Sequence, residues 1–74
     1  MTLFDCNTES AGVVGAIRGD LETHRRLVDM GLLGVEYLVR AKKKQSLLSD
    51  FGSQFSAVVQ SSVAEQIEVI ENRP

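Results

Sequence analysis

Apolar residues first gather at Val13, Val14, Ala16 and Ile17, a β-branched run short enough for one strand and preceded and interrupted by Gly12 and Gly15. The period changes after the polar turn Arg18-Gly19-Asp20. Leu21, His24 or Arg25, Val28 and Leu32 fall on one helical stripe with Leu27 and Met30 beside it, predicting an amphipathic helix of about ten residues. Asp20 stands where an N-cap is needed, and Glu22 puts a negative charge in the first turn, where the helix dipole favours it. Gly31 follows the last helical residue, at the position that takes a left-handed conformation when a helix stops. Alternation then returns. Val35, Tyr37, Val39 and Ala41 point one way, and Glu36, Leu38, Arg40 and Lys42 the other.

Further short runs complete the pattern. Ser46 to Ser49 predicts a third strand, Asp50 to Ser53 a turn, and Gln54 to Gln60 a fourth strand with Phe55, Ala57 and Val59 as its inner set. Ser62-Val63-Ala64-Glu65 fits a capping box, which marks one helical turn before a last strand, Gln66 to Glu71, with Ile67 and Val69 inward. Residues 1–10 are polar and mixed, and two alternatives stay open for them: Leu3 and Phe4 tuck against the barrel, or the segment is loose; residues 72–74 are expected to form a tail. The prediction is a mainly β chain: a small SH3-like five-stranded barrel with one short helix after the first strand and a helical turn before the last. Gly12 and Gly15 would weaken an isolated strand, and they suit a sharp bend or a close backbone approach.

Length bounds this to one domain over residues 1–74. A domain of this size buries only about 60% of the surface its unfolded chain exposes, so packing must be efficient. The single Cys6 excludes an internal disulfide, and no paired cysteines or histidines offer a zinc site. No apolar run approaches the roughly 20 residues that span a bilayer, and the N-terminus lacks the features of a signal peptide. A cytoplasmic protein is expected, in keeping with an unpaired thiol.

Charge is uneven. Residues 18–44 hold seven of the eight basic side chains against four acids, within a net charge of −2. The acid excess and the single Tyr37 argue against nucleic-acid binding, which needs a basic face and stacking aromatics. No nucleophile has a positioned base, so no enzymatic activity is expected. Cys6 and His24 are candidate soft metal ligands together with Asp20 or Glu22, but their scatter along the chain argues against a bound metal. Arg25 and Arg26 are candidates for docking on an acidic partner, or alternatively for pairing with Asp29 along the helix. Lys42-Lys43-Lys44 reads as a solvated strand end or an attraction to anionic headgroups. Leu33, Leu38 and Ile70 are apolar where the pattern leaves residues outside, which makes Leu33 and Leu38 candidate partner contacts.

Arg25-Arg26-Leu27, Met30-Gly31-Leu32, the glycine-spaced strand Gly12, Gly15 and Ile17, and Ala64 three residues before Ile67 together resemble the FeoA family over residues 2–71. The chain departs from the family pattern after the helix, where Leu33-Gly34 replaces a longer proline-containing turn, and at Gln60, where the family has arginine. The resemblance implies a non-enzymatic cytosolic accessory protein of ferrous iron uptake and iron homeostasis. It implies binding to FeoB, the membrane GTPase ferrous iron permease, and peripheral placement at the inner face of the membrane through that partner. Ferrous iron would be the transported ion, with no cofactor of this chain's own. The alternative implied by the same likeness is a regulatory or nucleic-acid-binding barrel related to the C-terminal domain of metal-dependent repressors.

Overall fold

The alternation and the helical stripe become, in chain order, β1 (Ala11–Ile17), α1 (Leu21–Asp29), β2 (Glu36–Lys42), β3 (Ser46–Phe51), β4 (Phe55–Gln60), α2 (Ser61–Ala64) and β5 (Ile67–Glu71). A single 3-10 turn, Leu3–Asp5, precedes them. The computed structural model describes residues 1–53 and 55–72. The strand start expected at Gln54 and the Arg73-Pro74 end of the expected tail lie outside the described residues. All pairings are antiparallel, in the order β4-β3-β2-β1-β5. The fold is mainly β and SH3-like, as the pattern predicts.

Two register shifts curl the sheet. One lies between Val14 and Ala16, at Gly15, and the other between Val39 and Ala41. Beside the second, the buried hydroxyl of Ser49 donates to the Leu38 carbonyl at 3.1 Å, so the polar group inside the core is satisfied. The end strands β4 and β5 do not pair with each other, and α2 carries the chain between them. The barrel therefore has an open side. Leu3, Val14, Val39, Leu47, Phe51 and Ile67 are all fully buried in its core.

At α1 the signals read from the sequence act as expected at both ends. The Asp20 side chain accepts from the Thr23 N–H at 2.8 Å. Gly31 has φ of 83°, its N–H reaches the Val28 carbonyl at 2.9 Å, and the Leu32 N–H reaches the Leu27 carbonyl at 3.2 Å. This is a Schellman stop. Leu32 then enters the core, so the helix end also fixes the packing of the following turn. A Cβ at Gly31 would meet nothing within 4 Å, so a substitution there acts through backbone conformation alone. Gly31→Val is expected to cost on the order of 1–2 kcal/mol, and thermal unfolding will measure it.

The helix turns a different face to the sheet than the stripe suggests. Leu27 is its buried residue, and Leu21 is 70% exposed. The two lie about 120° apart at roughly 100° per residue, so they cannot share a buried stripe. The capping box at Ser62 also does not form. The N-cap of α2 is Gln60, without a side-chain cap bond, and the Ser61 N–H is taken by the Gln45 carbonyl at 2.8 Å. Phe55, expected inside, is 38% exposed at the end of β4, while Val59 is buried and Ala57 half-buried.

For residues 1–10 the structure takes the tucked alternative over the loose one. They are docked, not loose. Leu3 and Cys6 are buried, Thr2 bridges Glu68, and the Val69 N–H donates to the Met1 carbonyl at 2.9 Å. Lys42 holds the other side of the turn. Its Nζ donates to the Phe4 carbonyl at 2.6 Å and sits 4.8 Å from the Phe4 ring centre, so this lysine is not a free strand end. Among the described residues, no helix is long and apolar enough to cross a membrane.

Candidate partner-binding surface

α1 sets the position of the two candidate arginines. Because Leu27 faces the core, Arg25 and Arg26 lie on the solvent side, where they line a shallow groove with Leu21, Glu22, Asp29 and Met30. Arg26 Nη2 is 3.6 Å from Glu22 Oε1 one turn earlier, rather than paired with Asp29. Both side chains are well exposed, so this pair contributes little to stability. Leu33 is 50% exposed in the turn after the helix, and Leu38 is half-buried on the outer side of β2 opposite Asp50. The structure thus brings Arg25 and Arg26 together, with Leu33 and Leu38 lining other parts of the surface. Ile70, on the outer side of β5, is 67% exposed.

A second concavity was not read from the sequence. It holds about 180 Å³ between α1 and the open side of the sheet, lined by Leu27, Met30, Phe55, Val59, Val63 and Ile67. Met30 and Phe55, 49% and 38% exposed, form its rim and also line an adjoining hollow with Gly31 and Val35. Val58, 69% exposed, extends the apolar surface along β4. The signal available in the sequence was the uncharged run from Phe51 to Ala64, unusual on an otherwise charged chain.

The candidate ligand residues do not assemble. Cys6 is buried with Sγ 3.5 Å from the Tyr37 hydroxyl. His24 Nδ1 is 2.9 Å from the Ile17 carbonyl, so this nitrogen carries the proton and donates. Asp20 is held below the usual carboxylate range by the Thr23 backbone N–H it caps. Among the described residues, no three His, Cys, Asp or Glu side chains converge on one point.

A polar chain does cross the N-terminal end of the sheet. Ser10 Oγ donates to Glu71 Oε2 at 2.5 Å, and the Tyr37 hydroxyl lies 3.3 Å from Ser10 Oγ and 3.5 Å from Cys6 Sγ. With the Ser10 proton committed to the carboxylate, Tyr37 donates to Ser10. Burial pushes the Tyr37 phenol up to about 12, and the neighbouring Cys6 thiol and Glu71 carboxylate add to the rise. A phenol near 10 when unfolded and near 12 when folded keeps its proton longer in the native state. Its contribution is therefore whole below pH 10 and is lost as pH rises from about 10 to about 12. Tyr37→Phe is expected to flatten the fall in stability across that window relative to the parent chain, as urea unfolding at stepped pH will show.

No family model matches the sequence, and no curated protein matches it. Solved structures do. A crystal structure of the iron uptake regulatory protein FeoA superposes with a TM-score of 0.85, at 19% identity and with 97% of each chain covered. An NMR structure of a FeoA-like protein from Clostridium acetobutylicum gives 0.84 at 21% identity, covering all of this chain and 88% of the other. The chain has the FeoA fold. Its Arg-Arg-Leu-x-x-Met-Gly-Leu segment is the α1 terminus just described, with Gly31 ending the helix and the FeoA fold placing Arg25, Arg26 and Met30 on its outer side.

Proposed function

We propose that this chain is a non-enzymatic accessory protein of ferrous iron uptake, acting in the cytoplasm by binding FeoB, the membrane GTPase ferrous iron permease. The observation that carries this reading is the near full-length agreement with FeoA in fold, coupled to the intact Arg25 to Leu32 segment. What the side chains offer supports binding over chemistry. The exposed surface presents two arginines beside Leu21 and Met30, an apolar centre with a charged rim of the kind that protein partners use. We put forward Arg25, Arg26 and Leu33 as contacts, with Leu38 as a further contact on the outer side of β2.

The test is capture of the permease's cytosolic region by the immobilised full chain, followed by titration. Binding is expected, and charge reversal at both Arg25 and Arg26 is expected to weaken it about tenfold, which corresponds to roughly 1.4 kcal/mol. Circular dichroism of the variant keeps folding separate from binding. A titration that shows no binding by the folded parent chain refutes the reading.

A further inference from the structure

The two edges of the sheet are treated differently. The outer edge of β5 is covered: Thr2 bridges Glu68, and the Val69 N–H is bonded to the Met1 carbonyl. The outer edge of β4 is bare. Its hydrogen-bond phase follows from the Ser61 N–H to Gln45 carbonyl bond, which makes residues 45 and 61 a hydrogen-bonded pair. The β3–β4 register runs without a break from Ser46↔Gln60 to Phe51↔Phe55, so Val59, Ala57 and Phe55 also bond to β3. Ser56, Val58 and Gln60 then point their backbone groups outward. Among the described residues, Ser56 and Val58 have no backbone partner beyond the sheet.

Exposed edges of this kind invite pairing, and proteins usually blunt them with lysine, proline or a bulge. β4 has none of these. Every residue from Phe51 to Ala64 is uncharged. We infer that β4 is a self-association edge, and that two copies of this chain pair β4 against β4 in antiparallel register about Val58. The symmetry selects a second copy as the occupant. In a two-fold pairing each residue meets its own counterpart or its mirror position, so like charges would face each other directly. Here Val58 meets Val58, and Ser56 meets Gln60, with no charge to oppose them. The outer edge of β5, by contrast, carries Glu68 and is already covered by Met1 and Thr2.

The side chains agree with this register. On the outer face, Ala41, Leu48 and Val58 form a row across three strands, which the second copy doubles at the Val58 pair. On the inner face, Ala57 and Val59 of the second copy come beside the cavity lined by Met30, Phe55 and Val63. Six residues of edge bury less than the ~1,000 Å² of a durable interface, so the dimer is a weak one.

Sedimentation equilibrium of the full chain over about 0.02 mM to about 2 mM, the range suited to a weak interface, will test this. The weight-average mass is expected to climb from 8.1 kDa toward twice that value. Amide resonances of Ser56, Val58 and Gln60 are expected to shift with concentration. Val58→Lys places like charges face to face and is expected to hold the mass at 8.1 kDa across the range. Ser56→Lys, which leaves the apolar row intact, provides a second variant with the same expected result. A parent chain that remains at 8.1 kDa at the highest concentration overturns the inference and leaves the edge to a strand of another protein. A dimer that persists in both folded lysine variants also overturns it.

Discussion

Gly12→Ala is expected to unfold most of the protein at 37 °C, while Gly15→Ala leaves it folded. The two glycines sit in the same strand and look alike in the sequence, but they meet different neighbours. A Cβ at Gly12 would run into the Ile70 carbonyl oxygen and lie 2.9 Å from both the Ile70 carbonyl carbon and Glu71 Cα. Those atoms are backbone of the paired strand β5, opposite Gly12 in the register Gly12↔Glu71. They cannot rotate away as a side chain can. Accommodation requires β1 and β5 to separate, which breaks ladder bonds and displaces Val69 and Ile67 from the core. Overpacking a core typically costs 1–3 kcal/mol, and an unyielding backbone contact puts this case at about 3 kcal/mol or more. A domain this small seldom has more than about 3–5 kcal/mol in total. At roughly 4–8 °C per kcal/mol, the melting temperature should fall by about 12 °C or more. At Gly15 the nearest atoms are the flexible end of Ile70, at 3.4 Å, and alanine fits. Parallel thermal melts of the two variants provide the measurement. Equal and small shifts would mean that β1 and β5 are further apart than the register requires.

The contrast between the glycines marks how far local pattern reaches. Most strand positions, the α1 caps and the Gly31 stop were legible because each depends on a few neighbouring residues; β3 runs on through Asp50 and Phe51, where a turn is expected. The SH3-like arrangement was legible because the helix and strands follow in an order that few small folds accommodate. The facing of α1 was not, since Leu21 and Leu27 are both leucines and only packing chooses between them. Nor was the open side of the barrel: Phe55 alternates correctly with Val59, but it lies beyond the cover that α1 gives the sheet. The exposed Arg25 and Arg26 were legible as candidates. Their grouping with Leu21 and Met30 was not, because it depends on which side of the helix the core takes. Asp50 illustrates the same limit in polar chemistry. Ser56 and Arg40, each donating at 2.6 Å, hold its carboxyl below the usual range. Both come from flanking strands, and no spacing along the chain announces them.

Leu3→Ala is expected to cost about 2–5 kcal/mol, as large a loss as any single truncation in the core. A run of two apolar residues in a polar segment gives no periodic signal, yet Leu3 is fully buried and Cys6 is only 1% exposed. The reason lies in the open geometry of the sheet. β5 is an edge strand, and the inner face near Ile67 and Val69 needs a lid that the five strands do not supply. The 3-10 turn supplies it. Thr2 and Asp5 fix the turn, with the Asp5 carboxylate accepting the Thr2 N–H at 2.9 Å; that bond holds the carboxyl below its usual range. Leu3 then points inward, and Met1 and Thr2 run alongside β5. Removing residues 1–6 should therefore do more than delete one side chain. It would uncover the core, free the β5 edge and remove the Phe4 carbonyl that Lys42 holds, so the shortened chain is expected to be largely unfolded. Phe4→Ala separates these contributions, because Phe4 is only half-buried and its carbonyl remains. Its expected loss is smaller than that of Leu3→Ala. Urea unfolding of the three proteins will rank them, and a shortened chain with the parent's midpoint would show that the sheet closes its own core without the N-terminal turn.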